Sequence, residues 1–138
     1  MNGITPQLEL TPEEAFVALA IVTVAIDGEH NEAEEMAVTQ AILSAELFAT
    51  HPADRLIGMI NNSFQAIQEQ GIDVILESAL GNLPENLCSE ALTALAQIIM
   101  ADGQVSAEEQ DLLNQFSRTF SIPEAEVKET LNSQVPAV

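Results

Sequence analysis

Tyrosine and tryptophan are missing altogether, and the only aromatics are five phenylalanines. Sheet proteins carry aromatic and β-branched runs bounded by turn signals, and these are lacking, which argues against a β architecture. Cations are almost as scarce: Arg55, Arg118 and Lys128 stand against 22 carboxylates, for a formal charge of −19. Nucleic acids and anionic membrane surfaces are bound chiefly through Lys and Arg, so neither is expected as a partner. Cys88 is alone, which excludes an intramolecular disulfide and a cysteine metal cluster; its apolar stretch, Leu87 to Ala96, marks it as a small core or near-surface residue. The longest apolar segment, Ala15 to Ile26, falls well short of the ~20 residues that span a bilayer. Residues 1–10 have no positive n-region and no long apolar run, and read as a flexible N-terminal segment rather than a signal peptide. A reduced, cytoplasmic setting is expected.

What is present is aliphatic. Apolar residues make up 47% of the 138, enough for one domain, and Leu, Ile, Val, Ala and Met pack well between helices. Thr11-Pro12-Glu13-Glu14 reads as an N-cap, a proline at the first helical position and acids in the first turn. The helix that follows, through Phe16, Leu19, Ile21 and Val24 to Ile26, is apolar nearly all the way round and should be buried on most sides. Asp27-Gly28 stops it. A second helix is expected from Glu32 to about Phe48, with Met36, Val38, Ile42, Leu43 and Leu47 as its apolar stripe. Thr50-His51-Pro52 is a break, and a third helix runs from Ala53 to Gly71, with Leu56, Ile57, Ile60, Phe64 and Ile67 on its apolar side and Asn61-Asn62-Ser63 as a weak point. A fourth spans Ile72 to about Leu80 before a turn at Gly81-Asn82-Leu83-Pro84. The fifth spans Glu85 to Ala101, the sixth runs from a Ser106 cap to Phe120, and a short seventh covers Pro123 to Leu131. Residues 133–138 are expected to form a disordered tail. Met36, Met59 and Met100 read as core filling, and His51 as a turn residue.

Sliding the chain by 75 residues lays Val17, Ala20 and Val24 on Leu92, Leu95 and Ile99, and Asp27-Gly28 on Asp102-Gly103. The same shift lays Asn31 on Ser106 and Glu34 on Glu109. Apolar matches alone say little, but Asp-Gly, a capping residue and Glu at fixed offsets point to an internal duplication. The expected fold is therefore all-α, with about seven helices. Two mostly buried central helices are related by a pseudo-twofold repeat (units about 11–48 and 86–120) and surrounded by amphipathic helices, in a single domain over 11–132.

An apolar helix running into Ala-Asp-Gly-x-Val-Ser-x-x-Glu resembles the signature of the tellurite-resistance TerB family. The run Met100-Ala101-Asp102-Gly103-Gln104-Val105-Ser106-Ala107-Glu108-Glu109 carries it closely. The first copy, Ala25-Ile26-Asp27-Gly28-Glu29-His30-Asn31-Glu32-Ala33-Glu34, keeps the Asp, Gly and Glu, with His30 where the family has a β-branched residue. Ile122-Pro123-Glu124-Ala125-Glu126-Val127 is similar to the family's closing helix. The resemblance covers about Thr11 to Leu131. It implies an all-helical interaction module linked to tellurite resistance and stress response, with acidic residues proposed to bind metal.

The loop residues themselves admit two readings. Gly ends a helix, Ser106 with Glu109 and Asn31 with Glu34 form capping boxes, and Asp27 and Asp102 turn the chain: a helix–helix joint and nothing more. Alternatively, the acids hold a hard divalent ion. An Asp at a helix C-terminus opposes the macrodipole by a few tenths to ~1 kcal/mol, which amides or a cation must offset. Asp27, Glu29, Glu32, Glu34 and Glu35 crowd the first loop, and Asp102, Glu108, Glu109 and Asp111 the second, with no Lys or Arg nearby in sequence. The candidate ligands are Asp27, Glu29, Glu34, Glu35, Asp102 and Glu109. The candidate ions are Ca2+ or Mg2+, held weakly, ahead of zinc. These are not EF-hands: Asp-Gly and Glu match loop positions 5, 6 and 12, but positions 1 and 3 fall on Thr23 and Ala25, and on Ile98 and Met100.

Gly-rich phosphate loops, nucleophile elbows and His-Glu-x-x-His are all absent, and Glu108-Glu109 are consecutive on a helix and diverge, so an enzyme is not expected. Two functions stay open: a module engaging a partner protein with a basic surface, or a scaffold that self-associates, as a homodimer for instance.

Overall fold

The computed structural model describes residues 9–26, 32–45, 48–102 and 105–133, with the backbone alone at 32–35 and 102. The described residues form seven α-helices and no strand: α1 (Pro12–Ala25), α2 (Glu32–Ser44), α3 (Ala53–Gln70), α4 (Ile72–Asn82), α5 (Cys88–Ile99), α6 (Ala107–Phe120) and α7 (Glu124–Asn132). The expected flexible start and disordered tail lie outside the described residues, except for Glu9, Leu10 and Ser133.

α1 begins at a complete capping box. The Thr11 hydroxyl accepts from the Glu14 amide at 3.1 Å, and Glu14 Oε1 accepts from the Thr11 amide at 2.9 Å. From Ala15 to Val24 every residue is buried. Such a run can present no unsatisfied group, and its one polar side chain between Ala15 and Val24 obeys that: the Thr23 hydroxyl donates to the Leu19 carbonyl at 2.8 Å. Each of its large aliphatics contributes ~1.5–3 kcal/mol by leaving water. α1 packs against α2, α3, α4 and α5, and is the post around which the domain is built.

α5 is the second central helix, packed on α1, α2 and α7. It is not equivalent to α1. Leu92, Leu95, Ile98 and Ile99 are buried, but Ser89, Thr93 and Gln97 form an exposed line four residues apart. α6 contributes Leu112, Leu113 and Phe116 to the core, and α7 contributes Val127.

Several boundaries depart from expectation. α2 stops at Ser44 rather than near Phe48, because the chain tightens into three-residue bonds: Ala45 N–H donates to Ile42 O (3.3 Å) and Phe48 N–H to Ala45 O (3.0 Å). That turn seats the Phe48 ring edge-on to Phe16, centroids 5.6 Å apart. α3 runs unbroken through Asn61-Asn62-Ser63, and α4 continues over Gly81 to Asn82, ending where Leu83 turns extended before Pro84. The Glu85–Ala101 helix is instead α5 flanked by two 3-10 turns, Glu85–Leu87 and Met100–Asp102. Met36 (67% exposed), Leu43 (52%) and Ile57 (54%) point to solvent, so Met36 is not core filling, while Met59 and Met100 are half-buried. Among the described side chains of α2, Val38, Ala41 and Ile42 are buried with Ala37 packed beside them, while Met36 and Leu43 face solvent.

Two glycines separate conformation from packing. Gly71 joins α3 to α4 at φ 90°, ψ 151°, a region essentially closed to other residues, and its N–H caps α3 on the Ile67 carbonyl at 2.9 Å. Gly58 is an ordinary helical residue, and a methyl group at either position would meet nothing within 4 Å. Gly71→Ala should therefore cost ~1–3 kcal/mol of stability through backbone strain alone, while Gly58→Ala should add ~0.5–1 kcal/mol. Urea denaturation followed by far-UV circular dichroism reads both. Equal effects would contradict the assignment.

Candidate functional site

The two Asp-Gly segments follow helices that end by different means. α1 stops at Ala25 with Ile26 still in helical geometry, and Asp27, Gly28, Glu29, His30 and Asn31 lie outside the described residues. α5 passes into the 3-10 turn Met100–Asp102, after which Ser106 caps α6. Glu34 and Glu35 sit in the first turn of α2, and Asp102 closes the 3-10 turn; the side chains of these three also lie outside the described residues.

Glu109 is the candidate whose side chain is described, and its geometry is that of a joint. The Ser106 amide donates to Glu109 Oε1 at 2.8 Å, and the Glu109 amide donates to Ser106 Oγ at 3.1 Å, the full capping box read from the spacing. The carboxylate is 3% exposed at the N-terminus of α6, where the dipole favours a negative charge. The other expected capping box, Asn31 with Glu34, falls outside the described residues. Glu108 and Asp111 are exposed, diverging from Glu109 as helix geometry requires. Among the described residues no group of three or more His, Cys, Asp or Glu is placed to hold a metal ion.

Packing relates the two loops. The Met100–Asp102 turn packs against α2, the helix that carries Glu34 and Glu35 in its first turn. The fold thus brings the backbone of the second loop to the helix that follows the first. The EF-hand comparison fails on geometry as well as on residue type: the Thr23 hydroxyl is committed to Leu19, and Ile98 is fully buried.

Other candidates resolve into structural roles. His51 is half-buried in the turn expected of it, its ring edge-on to Phe48 at 5.7 Å. Cys88 opens α5 half-buried; burial raises its thiol pKa above the ordinary value, and the Glu126 and Glu85 carboxylates raise it further. A cleft of about 150 Å³ between α1, α3 and α4 is lined by Leu10, Ala18, Met59, Ala66 and Ile75, with Glu14, Asn62 and Ser63 as its polar members. Nothing in the sequence announced that cleft, because it is a product of helix crossing rather than of any local spacing.

Two measurements check these assignments. Removing the hydroxyl of the second capping box in Ser106→Ala should cost ~0.5–2 kcal/mol, seen as a lower Tm by circular dichroism; an unchanged Tm would mean that the box does not hold the joint. Cys88 should alkylate with iodoacetamide more slowly than a free cysteine at pH 8, with the rate still climbing above pH 9 as the raised pKa is approached. A rate that levels off below pH 8 would contradict the acidic, half-buried setting.

The comparison with known families agrees with the motif. A family model described as tellurite resistance protein TerB matches residues 13–132, from the first turn of α1 to the last residue of α7. No curated protein and no solved structure matches the chain. With seven helices among the described residues and the match spanning nearly all of them, the chain belongs to the TerB family.

Proposed function

We propose that this TerB domain is a non-enzymatic, acidic interaction module, whose Asp-Gly loop face engages a partner protein with a basic surface and holds a divalent cation weakly. The family description associates it with tellurite resistance. The observation that carries the reading is the packing of the Met100–Asp102 turn on α2, the helix whose first turn carries Glu34 and Glu35. A net charge of −19 supports a cationic partner, since complementary potentials steer encounter and penalise anionic competitors. No helix of the described residues is long and apolar enough to cross a membrane, in keeping with contact through a surface.

For the ion, the expected ligands are Asp27, Glu29, Glu34, Glu35 and Asp102. Glu109, whose Oε1 holds the cap of α6, completes the candidate set. Calcium or magnesium is favoured over zinc, because the set is all carboxylate and lacks cysteine support. The scaffold alternative, self-association without a ligand, draws on the exposed Met36, Leu43 and Ile57. It must also overcome the repulsion between two chains of this charge.

Thermal melting by far-UV circular dichroism tests the ion, since intrinsic fluorescence is uninformative without Trp or Tyr. Calcium or magnesium at about a hundred times its dissociation constant should add ~2.7 kcal/mol over a chelator control. The double variant Asp27→Asn, Asp102→Asn should abolish the shift. No shift in millimolar calcium, magnesium or zinc would remove the cation from the proposal, and a shift that survives the double variant would move it elsewhere. Sedimentation separates module from scaffold: a monomer with and without calcium is expected, and a dimer in both conditions would favour the scaffold.

A further inference from the structure

The exposed line of α5 is the ridge between two grooves. On one side, a groove of about 350 Å³ lies between α2 and α5, with Phe16, Ala41, Ala45 and Ala94 as apolar lining and Glu90 as its acid. On the other, a groove of about 340 Å³ lies between α5 and α7, with Leu92 and Thr130 in its wall and Glu126 and Glu129 as acids. Thr93 lines both, so the two flank one ridge of α5. The ridge itself is low and uncharged: Ser89, Thr93 and Gln97, all exposed, run ~12 Å along the helix at 1.5 Å per residue. Ser89 and Thr93 are small enough to let a second helix approach closely, and two turns of helix match that length.

We infer that this trough is the docking site of a basic amphipathic helix from a partner protein, which lays small apolar residues on Thr93 and Ala94 and directs Lys or Arg toward Glu90, Glu126 and Glu129. The inference rests on the basic-partner reading above and gives that partner a second contact, away from the Asp-Gly loops. Charge chooses the occupant. Three carboxylates and no Lys or Arg stand among the described residues lining the grooves. Lys128, the cation nearest in sequence to Glu126 and Glu129, reaches instead to Glu124 at 3.8 Å on the exposed side of α7. A second copy of this chain cannot supply the helix, because Arg55, Arg118 and Lys128 lie singly on α3, α6 and α7. The mode is helix-in-groove recognition with electrostatic selection.

The test uses the full chain and a synthetic 15-residue helical peptide of Lys, Leu and Ala, with a Glu-for-Lys peptide as control, titrated calorimetrically at low salt. The basic peptide should bind and the acidic one should not. Thr93→Arg, an exposed substitution that blocks the ridge and opposes the charge, should weaken binding roughly tenfold or more. Glu126→Gln with Glu129→Gln should weaken it several-fold, about what loss of two partly screened charge pairs gives. The Asp27→Asn, Asp102→Asn variant should bind like the parent. If only that loop variant loses the peptide, the groove is wrong and the basic-partner reading stands. Equal binding of the acidic peptide overturns the charge argument, and no binding of the basic peptide to the parent overturns both readings.

Discussion

The enclosure of α1 is the constraint on which the rest depends. A helix with ten consecutive buried residues, Ala15 to Val24, must be surrounded, and α2, α3, α4 and α5 do the surrounding. It also has to dispose of every polar group it carries. The Thr11–Glu14 box does so at its start, and near its end the Thr23 hydroxyl does so by bonding back to the Leu19 carbonyl. Aliphatic packing without Tyr or Trp suits this role, because such side chains bring no hydroxyl or indole N–H that would need a partner inside.

From that enclosure follows the position of the turn after α5. α2 packs on α1, on α5 and on the Met100–Asp102 turn that follows α5. The acids thereby divide into two kinds. Glu14 and Glu109 are tied to backbone amides in capping boxes and fix where helices begin. Glu108, Asp111, Glu126 and Glu129 face solvent and shape the potential that a partner meets. A single composition, rich in carboxylate and poor in cation, thus serves the joints and the surface by different physics.

Much of this was legible in the residues because it is local. Thr11-Pro12-Glu13-Glu14 and Ser106 with Glu109 specify helix starts within four residues, and an unbroken apolar run specifies burial on all sides. The TerB signature at Met100–Glu109 led to the family that residues 13–132 match. What could not be read depends on neighbours. Gly81 is carried within α4 and Asn61-Asn62-Ser63 within α3 because packing overrides weak helix propensity. Met36 and Leu43 face outward because the core-facing side of α2 is already filled. The Ser89–Thr93–Gln97 line sits on a helix that reads only as apolar, and the packing of α2 and α7 on either side of α5 is what makes grooves of its flanks.

Native-state hydrogen exchange measures the central constraint directly. If α1 is the enclosed post, the amides of Leu19 to Val24 can exchange only when the whole domain unfolds, with an opening free energy equal to the global value from urea denaturation. Those of α7, on the periphery, should open at lower cost. Exchange of the α1 amides through a local opening as easy as that of α7 would contradict the account.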